Sequence, residues 1–378
     1  MNNIVVAGFA RSPFHLSRKG ALACIRPDDL AAQVVAGLLE RMDIDPALIE
    51  DLILGCSYPE AEQGYNIARI VSFRAGIGEH VPGATINRFC GSSMSAIHYA
   101  AGQIALGFGD AFICGGIESM SRVPQGGHNK SFNPALERDH KDVYTSMGMT
   151  AENVATLYEV SREAQEALAV VSHAKAATAR AQGRLADEIV PIQTQDGLVS
   201  EDGCIRPGTN AEALAGLKPV FKEDGSVTAG TSSPLTDGAS ATLICTEEFA
   251  RAHGLVPLAR LKSAAVASVK PELMGIGPIP ATRKALARAG IKTNDLDVIE
   301  INEAFASQAV ACIRELDLDE ARINLDGGGL AIGHPLGATG ARLVGKAASL
   351  LKCHGGRYAL ATQCIGGGQG IATVLEAL

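Results

Sequence analysis

The sequence predicts an α/β fold built from two duplicated βαβαβ halves, with a polar loop domain inserted between them. Three observations predict it. Apolar runs such as residues 111–114 and 358–362 alternate with amphipathic or Ala-rich helix signals, the pattern of a parallel sheet covered by helices. Landmarks of the first half recur in the second: Asp51-Leu52-Ile53-Leu54 returns as Asp297-Val298-Ile299-Glu300 after 246 residues, Cys90 as His334 after 244, and Ile113-Cys114-Gly115-Gly116 as Gln363-Cys364-Ile365-Gly366 after 250. Residues 118–235 differ in character from both flanks, being richer in charge and turn residues. Chance similarity between Gly-rich α/β segments is the competing reading of the repeat.

Taken in order, the start Met1 to Pro13 has an apolar run of only about seven residues and no basic flank, so no targeting signal is expected there. Ala84-Thr85-Ile86 reads as a strand that gives way, through Asn87-Arg88-Phe89-Cys90-Gly91, to an Ala-rich helix over residues 92–107. Residues 125–128, 133–134 and 202–203 mark turns of the insertion, which also carries a polar helix over about 162–183. Gly327 to Gly337 opens a further helix over 338–351, with Pro335 near its first turn, where a missing N–H costs little. Cys364-Ile365-Gly366-Gly367-Gly368-Gln369-Gly370 closes the pattern.

Composition narrows the partners. A chain of 378 residues that is 47% hydrophobic can bury a large core. Its formal charge of −8 argues against nucleic acid or an anionic membrane as the main partner, and no run approaches a membrane span. The nine cysteines lack any C-x-x-C pair, so neither a disulfide framework nor a cysteine zinc site is indicated, and a reducing, cytoplasmic setting is expected with no metal.

Three residues carry chemistry. Cys90 sits at a predicted helix start, where free N–H groups and the helix dipole favour the nucleophilic thiolate. His334, flanked by glycines that admit a ligand and matched to Cys90 by the repeat, is a candidate base rather than a core histidine. Cys364 stands beside glycine amides able to donate to an oxyanion. Two thiols and an imidazole suit the making and breaking of a carbon–carbon bond beside a thioester: one thiolate holds the acyl group, the imidazole manages its proton, and the second thiol protonates or deprotonates the α-carbon. A hydrolase needs no second thiol.

At these residues the sequence resembles the thiolases, which exchange acyl groups between coenzyme A and 3-ketoacyl-CoA. The resemblance runs from Gly8-Phe9-Ala10-Arg11-Ser12-Pro13 through residues 115–121, 147–153 and 302–305 to the Gly-His-Pro and Cys-Ile-Gly-Gly-Gly clusters. It implies a five-layered αβαβα core, with residues 1–117 plus 236–255 and residues 256–378 as the halves and 118–235 as a CoA-binding loop domain. It places the nucleophile on Cys90, its activating histidine on His334 and the acid/base cysteine on Cys364. Asn302 resembles the residue whose water, with His334, forms one oxyanion hole, and the N–H groups of Cys90 and Gly366 form the other. Ser233 resembles a pantetheine contact and Arg206 a basic residue near the nucleotide, although an ordinary surface arginine is an equal reading. Met147, Met274 and Phe305 are expected to line the acyl pocket.

No cofactor is implied beyond coenzyme A as co-substrate, and a homodimer or homotetramer is expected by analogy. Ser146 stands where many synthetic members carry histidine, which favours the degradative direction, with a biosynthetic acetyl-CoA C-acetyltransferase as the alternative. Asp326 stands where many relatives carry Asn, either shifting the surroundings of His334 or capping a turn. A dinucleotide-binding oxidoreductase is disfavoured because the glycines at 327, 329 and 333 miss the fingerprint spacing. A ketoacyl synthase would replace the second cysteine with histidine. A non-catalytic acyl-CoA-binding relative should have lost one of Cys90, His334 and Cys364.

Overall fold

The computed structural model describes residues 3–378. The first half comprises β1 (Ile4–Arg11), α1 (Pro27–Met42), β2 (Asp51–Gly55), α2 (Ile67–Arg74), β3 (Gly83–Ile86), α3 (Ser92–Ala105) and β4 (Ala111–Ser119). An intervening segment carries α4 (Met147–Leu157) and α5 (Arg162–Ala181), after which β5 (Thr236–Thr246) returns to the first sheet. The second half comprises β6 (Ala259–Ser268), α6 (Pro278–Ala289), β7 (Val298–Ile301), α7 (Ala306–Glu315), α8 (Leu336–His354), β8 (Tyr358–Ile365) and β9 (Gln369–Glu376). Helix ends follow local chemistry. Ser161 caps α5 by accepting from the Ala164 N–H, and Gly355, at φ 70°, closes α8 in the left-handed region. Pro335 is the residue before α8 rather than inside its first turn.

The two halves share one topology. In the first, β3-β2-β4-β5-β1 lie side by side; in the second, β7-β8-β9-β6 do, and Ile323 bridges to Ile299 where β3 pairs with β2 in the first half. Antiparallel pairing of Val5 with Arg260 and Val6 with Ala259 joins the half-sheets edge to edge. In each half the middle strands pair in parallel, whereas the last strand pairs antiparallel both with the strand before it and with the half's first strand, so the sheet is mixed where the sequence pattern predicted a parallel one. The reason is visible in the second half. Residues 366–368 connect β8 to β9 as a tight turn, which only antiparallel neighbours allow. The first half replaces that turn with residues 120–235.

Strand register corrects the third sequence landmark. Leu52 pairs with Ile113 and Val298 with Ala359, so both strands repeat at 246 residues. At that offset Cys364 corresponds to Glu118, whereas Cys114 corresponds to Leu360. Cys114 is a core thiol facing the Ala96 carbonyl at 3.5 Å.

Three apolar clusters build the layers. One packs α1 and α2 against the outer face of the first half-sheet, one packs α3 and α8 between the half-sheets, and one packs α6 and α7 against the outer face of the second. The order is αβαβα. A buried ion network ties the intervening segment to both halves: Arg11 of β1 reaches Glu188 and Asp202, each at 2.7 Å, and Lys346 of α8 reaches Glu188 at 3.0 Å and Asp326 at 2.7 Å. Asp326 also pairs with Arg184 at 2.8 Å, so its charge is spent in this network.

Candidate active site

In the central layer α3 and α8 meet at their first turns. A Cβ on Gly340 would lie 2.5 Å from the Met94 nitrogen, and the Ala341 N–H donates to Ser93 Oγ at 2.9 Å. The residues just ahead of both helices therefore share one region. Cys90 precedes α3 on a tight elbow in which Phe89 adopts φ 43°, held by its N–H to Asn87 Oδ1 at 2.8 Å and its carbonyl to Ser92 Oγ at 2.6 Å. Left-handed backbone at a bulky residue is costly, and here local hydrogen bonds sustain it beside the thiol.

His334 precedes α8, and Gly333 before it has φ 112°. A Cβ there would meet Thr236 at 2.8 Å, the residue whose Oγ1 accepts the His334 N–H at 3.0 Å. The imidazole is buried. Its Nδ1 lies 2.7 Å from Thr339 Oγ1, whose own proton goes to the Pro335 carbonyl at 3.2 Å. Nδ1–H is then the donor to Thr339, and Nε2 carries the lone pair. The Asn302 amide nitrogen lies 3.3 and 3.4 Å from the two ring nitrogens, against the ring rather than in line with one lone pair.

The third corner comes from β8 and the turn after it. Cys364 is buried in a cluster with Ala151, Val227, Met274, Ala304 and Phe305, with Met147 packed on it. Phe221 meets Phe305 edge to face at 5.9 Å. The backbone N–H groups of Gly366 and of Cys90 itself, the two amides that the resemblance assigned to an oxyanion hole, both act to favour the Cys90 thiolate.

Burial sets the protonation of all three groups. It pushes the Cys90 thiol up to about 12, against the pull of the Gly366 N–H and aided by the Glu118 carboxylate. Burial likewise holds the Cys364 thiol well above its usual range, with Cys90 adding to the shift, and lowers His334 to about 4. The resting site is thus neutral. The sequence argument for a thiolate at a helix start underrated desolvation, which outweighs the N–H contacts here.

Two residues that pack on the site were not anticipated from the sequence. Glu118, fully buried, accepts from the Ser57 N–H at 2.8 Å, the Tyr58 N–H at 3.3 Å, Gln63 Nε2 at 2.9 Å and the Gly337 N–H at 2.9 Å. It fixes the start of α8 to the end of β2. Gly337 has no room for a side chain, since a Cβ would lie 2.9 Å from Glu118 Oε2. Thr339 is the other. Its signal was its place one turn into the helix after His334, and that of Glu118 was its register with Cys364.

Among the expected residues, the structure gathers Cys364, Met147, Met274 and Phe305 in one cluster, Cys90 with Gly366, and His334 with Asn302. Ser233 borders the cluster, half-buried, through its N–H to the Ala304 carbonyl at 3.0 Å. Arg206 stands apart: it is exposed, beside Ile205 of a different cluster, and no ion pair engages it among the described residues.

Comparison with known proteins agrees along the whole chain. Residues 4–248 match the family description "Thiolase, N-terminal domain", and residues 255–377 match "Thiolase, C-terminal domain". A 3-ketoacyl-CoA thiolase of Bacillus subtilis (strain 168) is 46% identical over 389 residues, covering 100% of both chains. One of Shewanella sp. (strain MR-7) is 48% identical over 386 residues, again covering 100% of both. The crystal structure of the Bacillus anthracis acetyl-CoA acetyltransferase superposes with a TM-score of 0.92 at 39% identity, covering 100% of this chain and 99% of that one.

Proposed function

The chain belongs to the thiolase family, and from that premise we propose that it cleaves 3-ketoacyl-CoA with free coenzyme A, giving acetyl-CoA and a shortened acyl-CoA through an acyl group held on Cys90. One observation carries this reading: Cys90 of the first half lies against the end of β8 of the second, where Gln363 donates to the Cys90 carbonyl and the Gly366 N–H favours the Cys90 thiolate. An acyl oxygen on that sulfur would have the N–H groups of Gly366 and Cys90 as its donors in this reading.

With a neutral thiol and a neutral imidazole, the first step is proton transfer from Cys90 to His334 Nε2 as the sulfur attacks the 3-keto carbonyl. Thr339 holds Nδ1 and so keeps the receiving nitrogen free. The carbon–carbon bond then breaks, and Cys364, whose thiol burial keeps protonated, gives its proton to the departing acetyl-CoA enolate. The proton on His334 passes to the Cys364 thiolate, which restores the neutral imidazole; His334 then deprotonates coenzyme A, whose sulfur takes the acyl group from Cys90, and returns that proton to the released Cys90 thiolate. Asn302 and His334 serve the oxygen of the thioester that forms the enolate. Cys90 is half-buried between the buried His334 and Cys364, which limits the access of water to the waiting acyl-enzyme.

We assign Met147, Met274 and Phe305 to the acyl and pantetheine channel, Ser233 at its border to the pantetheine amides, and exposed Arg206 to the nucleotide phosphates. Residues 118–235 form the CoA-binding loop domain in this reading, with 1–117 plus 236–255 and 256–378 as the catalytic halves. Coenzyme A is a co-substrate, and the chemistry described needs no metal. The names of the 46–48% identical relatives and Ser146 favour degradation, as in β-oxidation; biosynthetic condensation of acetyl-CoA is the second reading, favoured by the name of the superposed structure. Unpaired cysteines throughout agree with a cytoplasmic enzyme. A homodimer or homotetramer agrees with β3, which ends the sheet between elements that expose Tyr65, Phe73, Phe89 and Tyr99.

The test is thiolysis of acetoacetyl-CoA against a longer 3-ketoacyl-CoA. Turnover of the longer substrate is expected, with none in Cys90→Ala or Cys364→Ala. Turnover of acetoacetyl-CoA alone favours the biosynthetic reading, and near-normal thiolysis by either variant overturns the site.

A further inference from the structure

Gln363 is wholly buried on β8, one residue before Cys364 and therefore facing the opposite side of the sheet, toward the central helices. Its Nε2 donates to the carbonyl oxygen of Cys90, from the half of the molecule that does not carry Cys90. That carbonyl needs a partner from outside, because the α3 ladder begins one residue later with the Ser95 N–H on Gly91 at 2.9 Å. The amide has only one workable orientation. Flipped, Oε1 would face the carbonyl oxygen, two acceptors in contact. As it stands, Oε1 is buried without any hydrogen-bond partner. An orphaned buried acceptor is a poor choice for stability alone, and an apolar side chain of similar size would avoid it.

From this geometry we propose that Gln363 is a positioning residue, which holds the Cys90 elbow from across the interface and fixes where the sulfur lies relative to Gly366, His334 and Cys364. The inference rests on Cys90 being the nucleophile. The strained Phe89 beside it, at φ 43°, gives the elbow a reason to relax once that tie is lost. Gln363 touches no reacting atom. Its effect is therefore on the rate of the chemical steps and not on binding of coenzyme A, whose expected contacts lie on the other face of the sheet.

Two variants of the full-length enzyme test this. Gln363→Leu removes the donor and exchanges one orphaned acceptor for another, so its thermal midpoint should stay within about 4 °C of the parent. Its kcat should fall by about tenfold to a hundredfold, the scale of a small misplacement, while KM for coenzyme A changes by less than about twofold. Gln363→Glu should be pH-dependent. A buried carboxyl stays protonated at low pH, where its O–H can donate to the Cys90 carbonyl, and becomes acceptor-only on ionising. Its activity should approach the parent's at the acid end and drop as pH rises, through an ionisation that Gln363→Leu lacks.

Unchanged kcat in Gln363→Leu, or a Gln363→Glu profile parallel to the parent's, overturns the proposal. Cys90→Ala, assayed alongside, separates the failures. If it keeps thiolysis, both this inference and the nucleophile assignment fall; if it is inactive and Gln363→Leu behaves as the parent, this inference falls alone.

Discussion

At Cys90 and Cys364 desolvation outweighs the backbone N–H groups that favour a thiolate, and at His334 it disfavours the imidazolium, so each group rests uncharged. For His334 the consequence can be measured. Its imidazole is the acceptor in its neutral form, and its pKa is lowered from 6.5 to about 4 by burial. Protonation removes the base, so activity should persist as pH falls through the ordinary histidine range and be lost only toward the lowered value. A kcat/KM profile with its acid limb near 6.5 would contradict this. Thr339 is the neighbour that selects the tautomer. Thr339→Val keeps the shape and removes the Nδ1 acceptor, and kcat should fall by roughly tenfold or more with little change in KM, as expected for a lost orienting contact. Cys90, His334 and Cys364 were legible as candidates because each sits in a motif of glycines, the first two just ahead of a helix. Thr339 and Gln363 were not, since a threonine inside a helix and a glutamine inside a strand gain their roles only from partners that folding supplies.

Between elements, the decisive joint is the end of β4 against the start of α8. Glu118 gathers four donors there, from the residues after β2 and from Gly337. Truncation would leave those buried N–H groups unpaired. Glu118→Ala should cost about 1–3 kcal/mol, the scale of buried donors left unsatisfied, and Glu118→Gln less because it keeps one acceptor oxygen. Chemical denaturation midpoints at constant m-value check this, and a shift below about 1 kcal/mol for the alanine variant would show the joint to be dispensable. The duplication was readable in sequence, yet its register was not. The glycine-rich match of Cys114 to Cys364 outweighed the correct one, which pairs unlike residues, Glu118 and Cys364, at the same strand end. Antiparallel pairing of the last two strands was equally hidden, because an apolar run carries no mark of its direction.

Across the whole molecule, residues far apart in sequence meet in one buried ion network: Arg11, Glu188 with Asp202, and Asp326 with Lys346. Lys346→Met would strand Glu188 and Asp326 against fewer cations and should destabilise by about 3–5 kcal/mol. Because the network joins the intervening segment to both halves, unfolding of the parent should be a single transition, and two separated calorimetric transitions would show the segment to be independent. Fold class was legible from alternation and repeat, whereas this network was not, its members being scattered charges that resemble solvated surface. The acyl group on Cys90 is the species on which the proposed chemistry turns. Mass spectrometry of peptides after brief incubation with an acyl-CoA should find one added acyl group on the peptide containing Cys90, kept in Cys364→Ala and absent from Cys90→Ala. An acyl group on another residue, or acylation that survives Cys90→Ala, would contradict it.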